Sequence, residues 1–113
     1  MDTPDLLNRF DAQSILVLGD VFLDEYLSGE CSRLSPEAPV PVLRVEALRT
    51  RRVLGGAANT AANVAALGGK AILIGLIGDD SHGREFKDIT DAKGIELAAI
   101  QDGRPTAKKI RLL

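Results

Sequence analysis

Two adjacent glycines followed by two asparagines form the segment of this chain that is best suited to hold a ligand. Gly55 and Gly56 precede a run of small residues in which Asn59 and Asn63 are four positions apart. Glycine has no Cβ and lets the backbone approach a ligand closely, and residues at i and i+4 share one helix face. Each amide side chain offers donors and an acceptor, which suits a ligand rich in hydroxyl groups. A plain turn followed by a solvated helix is the alternative interpretation.

Two aspartates follow the first apolar run of the chain. The sequence SILVLG over Ser14–Gly19 has the continuous apolar character of a buried parallel strand. Asp20 and Asp24 come directly after it, and open α/β sheets bind ligands just beyond the carboxyl ends of their strands. Because an ionised carboxylate can accept hydrogen bonds from two sugar hydroxyls, we predict a binding role for both aspartates. A turn or capping role is the alternative.

The elements that must position these residues alternate between strands and helices. Capping residues and apolar periodicity predict a short helix that begins after Thr3 as N-cap, a helix after Gly56, and a helix that begins at Asp80 or Ser81. Predicted strands cover residues 14–19, 71–77, 96–101 and 106–113. This order indicates the α/β class. The dinucleotide-binding and P-loop glycine motifs, a metalloprotease H-E-x-x-H motif and a nucleophile-elbow serine are all absent from the sequence.

The stretch from about residue 25 to residue 53 has a different character. Two predicted strands, 25–34 and 40–52, flank the sequence SPEAP, and prolines at positions 36, 39 and 41 exclude a central strand. A two-stranded ribbon alone is marginally stable in water. We therefore expect a projecting β-hairpin that covers a pocket as a lid or contacts a second subunit.

Composition and charge narrow the classes of partner. The net charge of −2 gives no nucleic-acid footprint, and no apolar run approaches the roughly 20 residues of a membrane span. The single cysteine, Cys31, excludes an internal disulfide and a thiolate metal cluster. We expect a cytoplasmic protein that binds a small molecule, with no catalytic role for His82. Arg49, Arg51 and Arg52 form either a solvated face or a surface for an anionic substrate.

The segment from Gly55 to Gly78 resembles the N-terminal signature of the ribokinase-like (PfkB) carbohydrate kinases. Within that family, the sequence GDVFLDEYLSGECSRLSPEAPVPV over residues 19–42 resembles the heptose 7-phosphate kinases of lipopolysaccharide-core synthesis, as does PTAKKIRLL from Pro105. The residues that match the family signature are Gly55, Gly56, Ala57, Asn59, Ala61, Gly68 and Gly78.

This resemblance implies a ribokinase-like three-layer α/β sandwich with a projecting β-hairpin lid, and a homodimer formed through the lid. It implies that Asp24, Gly56 and Asn59 bind the sugar. ATP and Mg²⁺ are the implied cofactors. Charge and placement suggest Lys109, Arg111 and Arg33 as contacts of the substrate phosphate. The complete set of candidate substrate-binding residues is Asp20, Asp24, Arg33, Gly55, Gly56, Asn59, Asn63, Lys109 and Arg111.

One part of the family pattern has no counterpart in the sequence. The G-A-G-D-type motif, which supplies the catalytic base and an anion hole in this family, does not occur before Leu113. We therefore expect residues 1–113 to be the N-terminal, substrate-binding part of a kinase domain, inactive alone, with the ATP-binding half elsewhere. A non-catalytic sugar-phosphate-binding or dimerisation module, or another PfkB sugar kinase, is the alternative.

Overall fold

The computed structural model describes residues 2–45 and 49–113 of the chain. Their alternating helices and strands confirm the predicted α/β class, and a short 3-10 turn covers Phe10–Ala12. The helices are α1 Thr3–Leu7, α2 Ala57–Ala66 and α3 Ser81–Ala92. The strands are β1 Ser14–Leu18, β2 Val21–Leu27, β3 Gly29–Leu34, β4 Pro41–Val45, β5 Arg51–Gly56, β6 Lys70–Leu76, β7 Glu96–Ile100 and β8 Lys108–Leu112. None of the described helices is long and apolar enough to cross a membrane.

The first sheet is parallel and has the order β1-β6-β7. Its central strand alternates between two environments, because Ala71 and Leu73 are completely buried on the face that packs against α2. The opposite face carries Leu16 and Leu18, which are 61% and 74% exposed. Helices therefore cover one face of this sheet and leave the other face open.

The second sheet is mixed and has the order β5-β2-β8, with β2 antiparallel to β5 and parallel to β8. On β2, Val21, Leu23 and Glu25 point into the protein, whereas Phe22, Asp24 and Tyr26 are only partly buried. This period of two follows from the pleat of a strand. The inward side chains join the core formed by α2, α3 and β6, whose members are Val21, Leu23, Leu54, Ala58, Ala61, Ala71, Leu73, Ile77, Phe86 and Ile95.

The third sheet is the two-stranded hairpin β3-β4, which pairs with no other described strand. It agrees with the proline-based expectation of a hairpin outside the central sheets. The molecule measures 63 × 39 × 21 Å and has a radius of gyration of 18.2 Å, whereas a compact domain of this length has about 13 Å. The chain is therefore elongated rather than spherical.

Two of the predicted strand boundaries were wrong. The predicted strand 25–34 is two strands, because β2 already begins at Val21 and ends at Leu27. The predicted strand 40–52 crosses residues 46–48, which lie outside the described residues, and its last part belongs to β5. β5 pairs with β2, a partner that local patterns do not reveal.

The helix signals were more reliable than the strand signals. The N-cap of α3 is Asp80, whose Oδ1 accepts a hydrogen bond of 2.7 Å from the Gly83 N–H. Gly94 has a φ of +70° directly after that helix, as expected for a C-terminal glycine. The predicted N-cap of α1 was wrong, because Asp2 rather than Thr3 accepts the hydrogen bond from the Asp5 N–H.

Asp80 also fixes the loop that precedes β8. Its two carboxylate oxygens accept hydrogen bonds of 2.8 and 2.7 Å from the backbone N–H and the hydroxyl of Thr106. The Thr106 hydroxyl in turn accepts the Gly78 N–H at 2.9 Å. These bonds connect the end of β6, the start of α3 and the segment that leads into β8.

Candidate functional site

The glycine pair lies where β5 ends and α2 begins. Gly56 is the last residue of β5 and the N-cap of α2, with a φ of +63°. A Cβ at this position would collide with the carbonyl oxygen of Asp20. That carbonyl also accepts a hydrogen bond of 2.9 Å from the Ala57 N–H. The loop after β1 is thus fixed against the start of α2, and only glycine fits the junction.

Asp24 lies directly over the other glycine. A Cβ on Gly55 would overlap the Phe22 ring and lie 2.9 Å from Asp24 Oδ2. The Asp24 side chain is 15% exposed, and among the described residues its Oδ1 is a buried oxygen without a hydrogen-bond partner. Among the ion pairs of the described residues, this oxygen has one, with Arg111 Nε at 3.7 Å. Because buried polar atoms nearly always have partners, this oxygen is well placed to accept a ligand's hydroxyl group.

The position of Asp24 corrects one premise of the sequence analysis. Asp20 lies in the loop after β1, as expected, but Asp24 is the fourth residue of β2 and pairs with Val53 and Lys109. The segment VFLDEYL forms a strand because its alternate side chains meet the core on one side only. The carboxylate is therefore held by a sheet rather than by a flexible loop.

The two asparagines share one face of α2, as the spacing predicted. Asn59 and Asn63 are both exposed, while Ala58 and Ala61 are buried against the sheets. Asn59 lies in the first turn, next to Gly56, and Asn63 is one turn farther along, at about 6 Å. Only Asn59 is therefore immediately adjacent to the glycine junction.

A cleft opens beside this junction at the carboxyl ends of β1 and β6. It has a volume of about 460 Å³, and its lining includes Asp20, Phe22, Leu76, Arg104 and Pro105. The location agrees with the general rule that ligands of open α/β sheets bind at strand carboxyl ends. The cleft thus joins Asp20 to the Phe22 ring, which contacts both glycines.

The partly exposed face of the β5-β2-β8 sheet carries two of the three cations predicted to contact the substrate phosphate. Lys109 pairs with Asp24, and Arg111 pairs with Tyr26, so their side chains share that face. The Arg111 guanidinium lies 5.9 Å from the centre of the Tyr26 ring. Arg33 is different, because it is an exposed residue of the separate β3-β4 hairpin and pairs with Val42.

The structure also shows residues that the sequence analysis did not select. Tyr26 follows Asp24 on the same face of β2, a relation that the alternation of a strand would have revealed had β2 been predicted correctly. Arg51 pairs with Tyr26 from the other side, with its guanidinium 4.9 Å from the ring centre. In the sequence, Arg51 is recognisable only as part of the basic cluster with Arg49 and Arg52.

The inward face of the same sheet carries a buried ion-pair network. Glu25 Oε2 accepts a 2.8 Å hydrogen bond from Arg52 Nε and lies 3.3 Å from Lys108 Nζ. These cations, Arg52 first, hold the pKa of the Glu25 carboxyl below its ordinary value, against the effect of burial. Arg52 also reaches Glu85 on α3 at 3.4 Å. This network holds the sheet against α3 and uses two cations that are therefore not available to a ligand.

Metal ligands do not cluster in the described part of the chain. Among residues 2–45 and 49–113, no three His, Cys, Asp or Glu side chains gather as a metal-binding group.

The comparisons with known proteins agree with this arrangement. The bifunctional protein HldE of Caulobacter vibrioides is 48% identical over 110 residues, which cover 96% of this chain and 22% of that protein. HldE of Bradyrhizobium sp. is 42% identical over 114 residues. A carbohydrate kinase from Agrobacterium tumefaciens has the same fold, with a TM-score of 0.72 at 24% identity over 89% of this chain and 31% of that one.

These matches cover nearly all of this chain but only part of each relative. The chain spans about a quarter of the length of the curated relatives, and residues 13–113 match the family described as pfkB family carbohydrate kinase. The predicted ribokinase-like fold is confirmed by the structural neighbours. The chain belongs to the pfkB family of carbohydrate kinases.

Proposed function

We propose that this chain is the substrate-binding part of an ATP-dependent kinase that converts heptose 7-phosphate to heptose 1,7-bisphosphate, in ADP-heptose and lipopolysaccharide biosynthesis. The observation that carries the proposal is the Asp24 carboxylate, with one buried, unpartnered oxygen, held over Gly55 beside the start of α2. Family membership supports a carbohydrate substrate. The resemblance of residues 19–42 to heptose 7-phosphate kinases supports the particular sugar.

In this proposal the residues of the chain bind and orient the sugar. Asp24 accepts hydrogen bonds from two hydroxyls, and such charge-assisted bonds are worth roughly 1.5–3 kcal/mol each. Gly55 and Gly56 let the sugar approach the backbone, and Asn59 adds an amide contact from the first turn of α2. Asp20 faces the adjacent cleft. The result is a fixed orientation of the hydroxyl that will receive the phosphoryl group.

ATP supplies that phosphoryl group, and Mg²⁺ neutralises its charge during transfer in kinases generally. We place both cofactors, and the catalytic base, on the part of the longer protein that the relatives possess and this chain does not span. We also propose that the β3-β4 hairpin serves as a lid over the sugar and as the contact between two subunits.

A chimera tests this function directly. The segment of Caulobacter vibrioides HldE that matches this chain is replaced by the corresponding residues of this chain, and ADP release is measured with heptose 7-phosphate and ATP. We expect turnover within about tenfold of the parent protein. A folded chimera without turnover would refute the proposal. The 113-residue chain alone should release no ADP; turnover by the pure chain would refute the placement of the base.

A non-catalytic sugar-phosphate-binding or dimerisation module is the competing possibility, and another sugar kinase of the family is the next. An inactive, folded chimera that still binds heptose 7-phosphate would favour the module. A chimera that prefers a different sugar would favour the other kinase.

A further inference from the structure

The open face of the β5-β2-β8 sheet is organised in rows that cross its strands. The first row pairs Phe22 with Gly55, at the end nearest to α2. Asp24 lies in the second row, with Lys109 as its neighbour on β8. The third row is Arg51, Tyr26 and Arg111, in that order across the sheet. Successive rows are about 7 Å apart along the strands.

The third row holds two guanidinium groups on one aromatic ring. Arg51 and Arg111 lie 4.9 and 5.9 Å from the Tyr26 ring centre, within the range of a cation–π interaction. Both side chains remain accessible, since Arg51 is exposed and the Arg111 side chain is 47% exposed. The ring therefore orders two cations at the surface and leaves their outer N–H groups able to donate to an anion.

The open face of the β5-β2-β8 sheet has an excess of positive charge. The second and third rows carry three cations, Arg51, Lys109 and Arg111, and one carboxylate, Asp24. The neighbouring cations Arg52 and Lys108 cannot serve here, because they point to the opposite face and bind Glu25. An anionic ligand would complete the charge balance of the open face.

We propose that Arg51 and Arg111, ordered by Tyr26, form the subsite for the phosphate group already present on the sugar substrate, with Lys109 at its border. This inference rests on the proposed function. Guanidinium groups match phosphate oxygens through paired N–H donors. The subsite lies one row beyond Asp24, about 7 Å away, a separation that the exocyclic carbons of a sugar phosphate can bridge. The sugar hydroxyl to be phosphorylated then points toward α2.

Comparison of three small ligands tests the subsite. Binding of heptose 7-phosphate, heptose and glycerol 3-phosphate to the HldE chimera is measured by calorimetry and by NMR of the arginine Nε–Hε signals. We expect heptose 7-phosphate to bind at least about tenfold more tightly than heptose. The signals of Arg51 and Arg111 should shift with both phosphate ligands.

Substitutions then identify the residues responsible. Each of Arg51→Gln and Arg111→Gln should weaken heptose 7-phosphate about tenfold, and Arg51→Gln should leave heptose binding within about threefold. Tyr26→Leu should weaken the phosphate ligand, and Tyr26→Phe should restore it, since either aromatic ring can order the guanidinium groups. Arg84→Gln, an exposed position on α3, is the matched control and should change neither ligand.

The outcomes separate this inference from the proposed function. If heptose and heptose 7-phosphate bind equally, or if the double variant of Arg51 and Arg111 keeps the preference, the subsite is refuted while sugar binding stands. If glycerol 3-phosphate binds through Arg51 but neither heptose ligand binds, the subsite stands and the function falls. If only Arg33→Gln abolishes the preference for heptose 7-phosphate over heptose, the phosphate binds at the β3-β4 hairpin and the subsite at Arg51 and Arg111 is refuted. If none of the three ligands binds, both proposals are refuted.

The KM of the HldE chimera for heptose 7-phosphate, determined for the same variants, gives a second measurement.

Discussion

Asp24 is the residue whose surroundings point most directly to a ligand. Its carboxylate lies against the backbone of Gly55, and its Oδ1 has no hydrogen-bond partner among the described residues. Among the ion pairs of the described residues, Oδ1 takes part in one, and its partner is Arg111 Nε at 3.7 Å. A carboxylate held in this way keeps acceptor capacity for hydroxyl groups.

The variant Asp24→Asn in the HldE chimera tests that role. The substitution preserves shape but removes the charge and one acceptor, so kcat/KM for the sugar phosphate should fall about 10- to 1000-fold. The KM for ATP should change little, because we place ATP on another part of the protein. Asn59→Ala should have a smaller effect of the same kind. Steady-state kinetics against each substrate provide the measurement, with circular dichroism as the folding control.

Unchanged sugar kinetics in Asp24→Asn would show that the carboxylate only supports the sheet. An effect confined to ATP would contradict the assignment equally.

The backbone conformation of Gly56 permits a second single-residue test. Alanine there must adopt a positive φ and also collides with the Asp20 carbonyl oxygen, so Gly56→Ala should lower the free energy of unfolding by about 3 kcal/mol. Gly94 also has a positive φ, but a Cβ there meets no atom within 4 Å. Gly94→Ala should therefore cost about 1 kcal/mol, and urea unfolding of both variants in the HldE chimera measures the difference. Equal losses would show that the collision is relieved by small movements.

Asp80 connects the helix α3 to the segment before the strand β8. The backbone and hydroxyl hydrogen bonds from Thr106, and then the bond from Gly83, lower the pKa of the Asp80 carboxyl from its ordinary value of 3.8 to about 2. The folded protein therefore binds this proton less readily than the unfolded chain. The resulting stabilisation is complete above about pH 5 and is lost progressively as the pH falls to 2 and below.

Asp80→Asn should accordingly reduce stability at pH 6, and the loss should shrink as the pH is lowered through 4 to 2. The urea midpoint of the variant and of the parent HldE chimera, measured across this pH range, checks the expectation. Asp88→Asn, an exposed position on the same helix, is the control. A loss that does not depend on pH would mean that the charge of Asp80 is not responsible.

The sequence predicted some of these elements better than others, for physical reasons. The start of α3 at Asp80 and its end before Gly94 depend on local capping, which a short window contains. The strand β2 was misplaced because Asp24 interrupts its apolar residues, and its two faces meet different environments. The pairing of Tyr26 with Arg51 and Arg111 joins segments far apart in sequence, so the composition of the open face needed the three-dimensional fold. The site residues taken from the family resemblance remain predictions.

At the scale of the whole molecule, one face of the parallel sheet is uncovered. Leu16, Leu18 and Ile100 share that face and are 61%, 74% and 50% exposed. Contiguous exposed apolar surface of this kind promotes association, and β8 adds an edge strand with its own exposed apolar side chains, Ile110 and Leu112.

We therefore expect the 113-residue chain to self-associate at micromolar concentration and to lack a sharp two-state melting transition. Leu18→Lys should shift it toward the monomer, whereas Leu67→Lys, at a position 61% exposed beside α2, should not. Light scattering coupled to size-exclusion chromatography gives the mass of each species. A monomeric parent chain with a cooperative transition would contradict the expectation.

The buried Glu25 limits the changes in chain length that the molecule can tolerate before β8. β5 contributes the consecutive cations Arg51 and Arg52, and β8 contributes Lys108 and Lys109; one member of each pair faces Glu25 and the other faces the open side. Thr106, two residues before Lys108, is held by Asp80. A single-residue insertion or deletion between Thr106 and Lys108 would turn Lys108 outward and place its neighbour against Glu25. An insertion of two residues there would preserve this alternation, so natural insertions in this segment should favour even numbers.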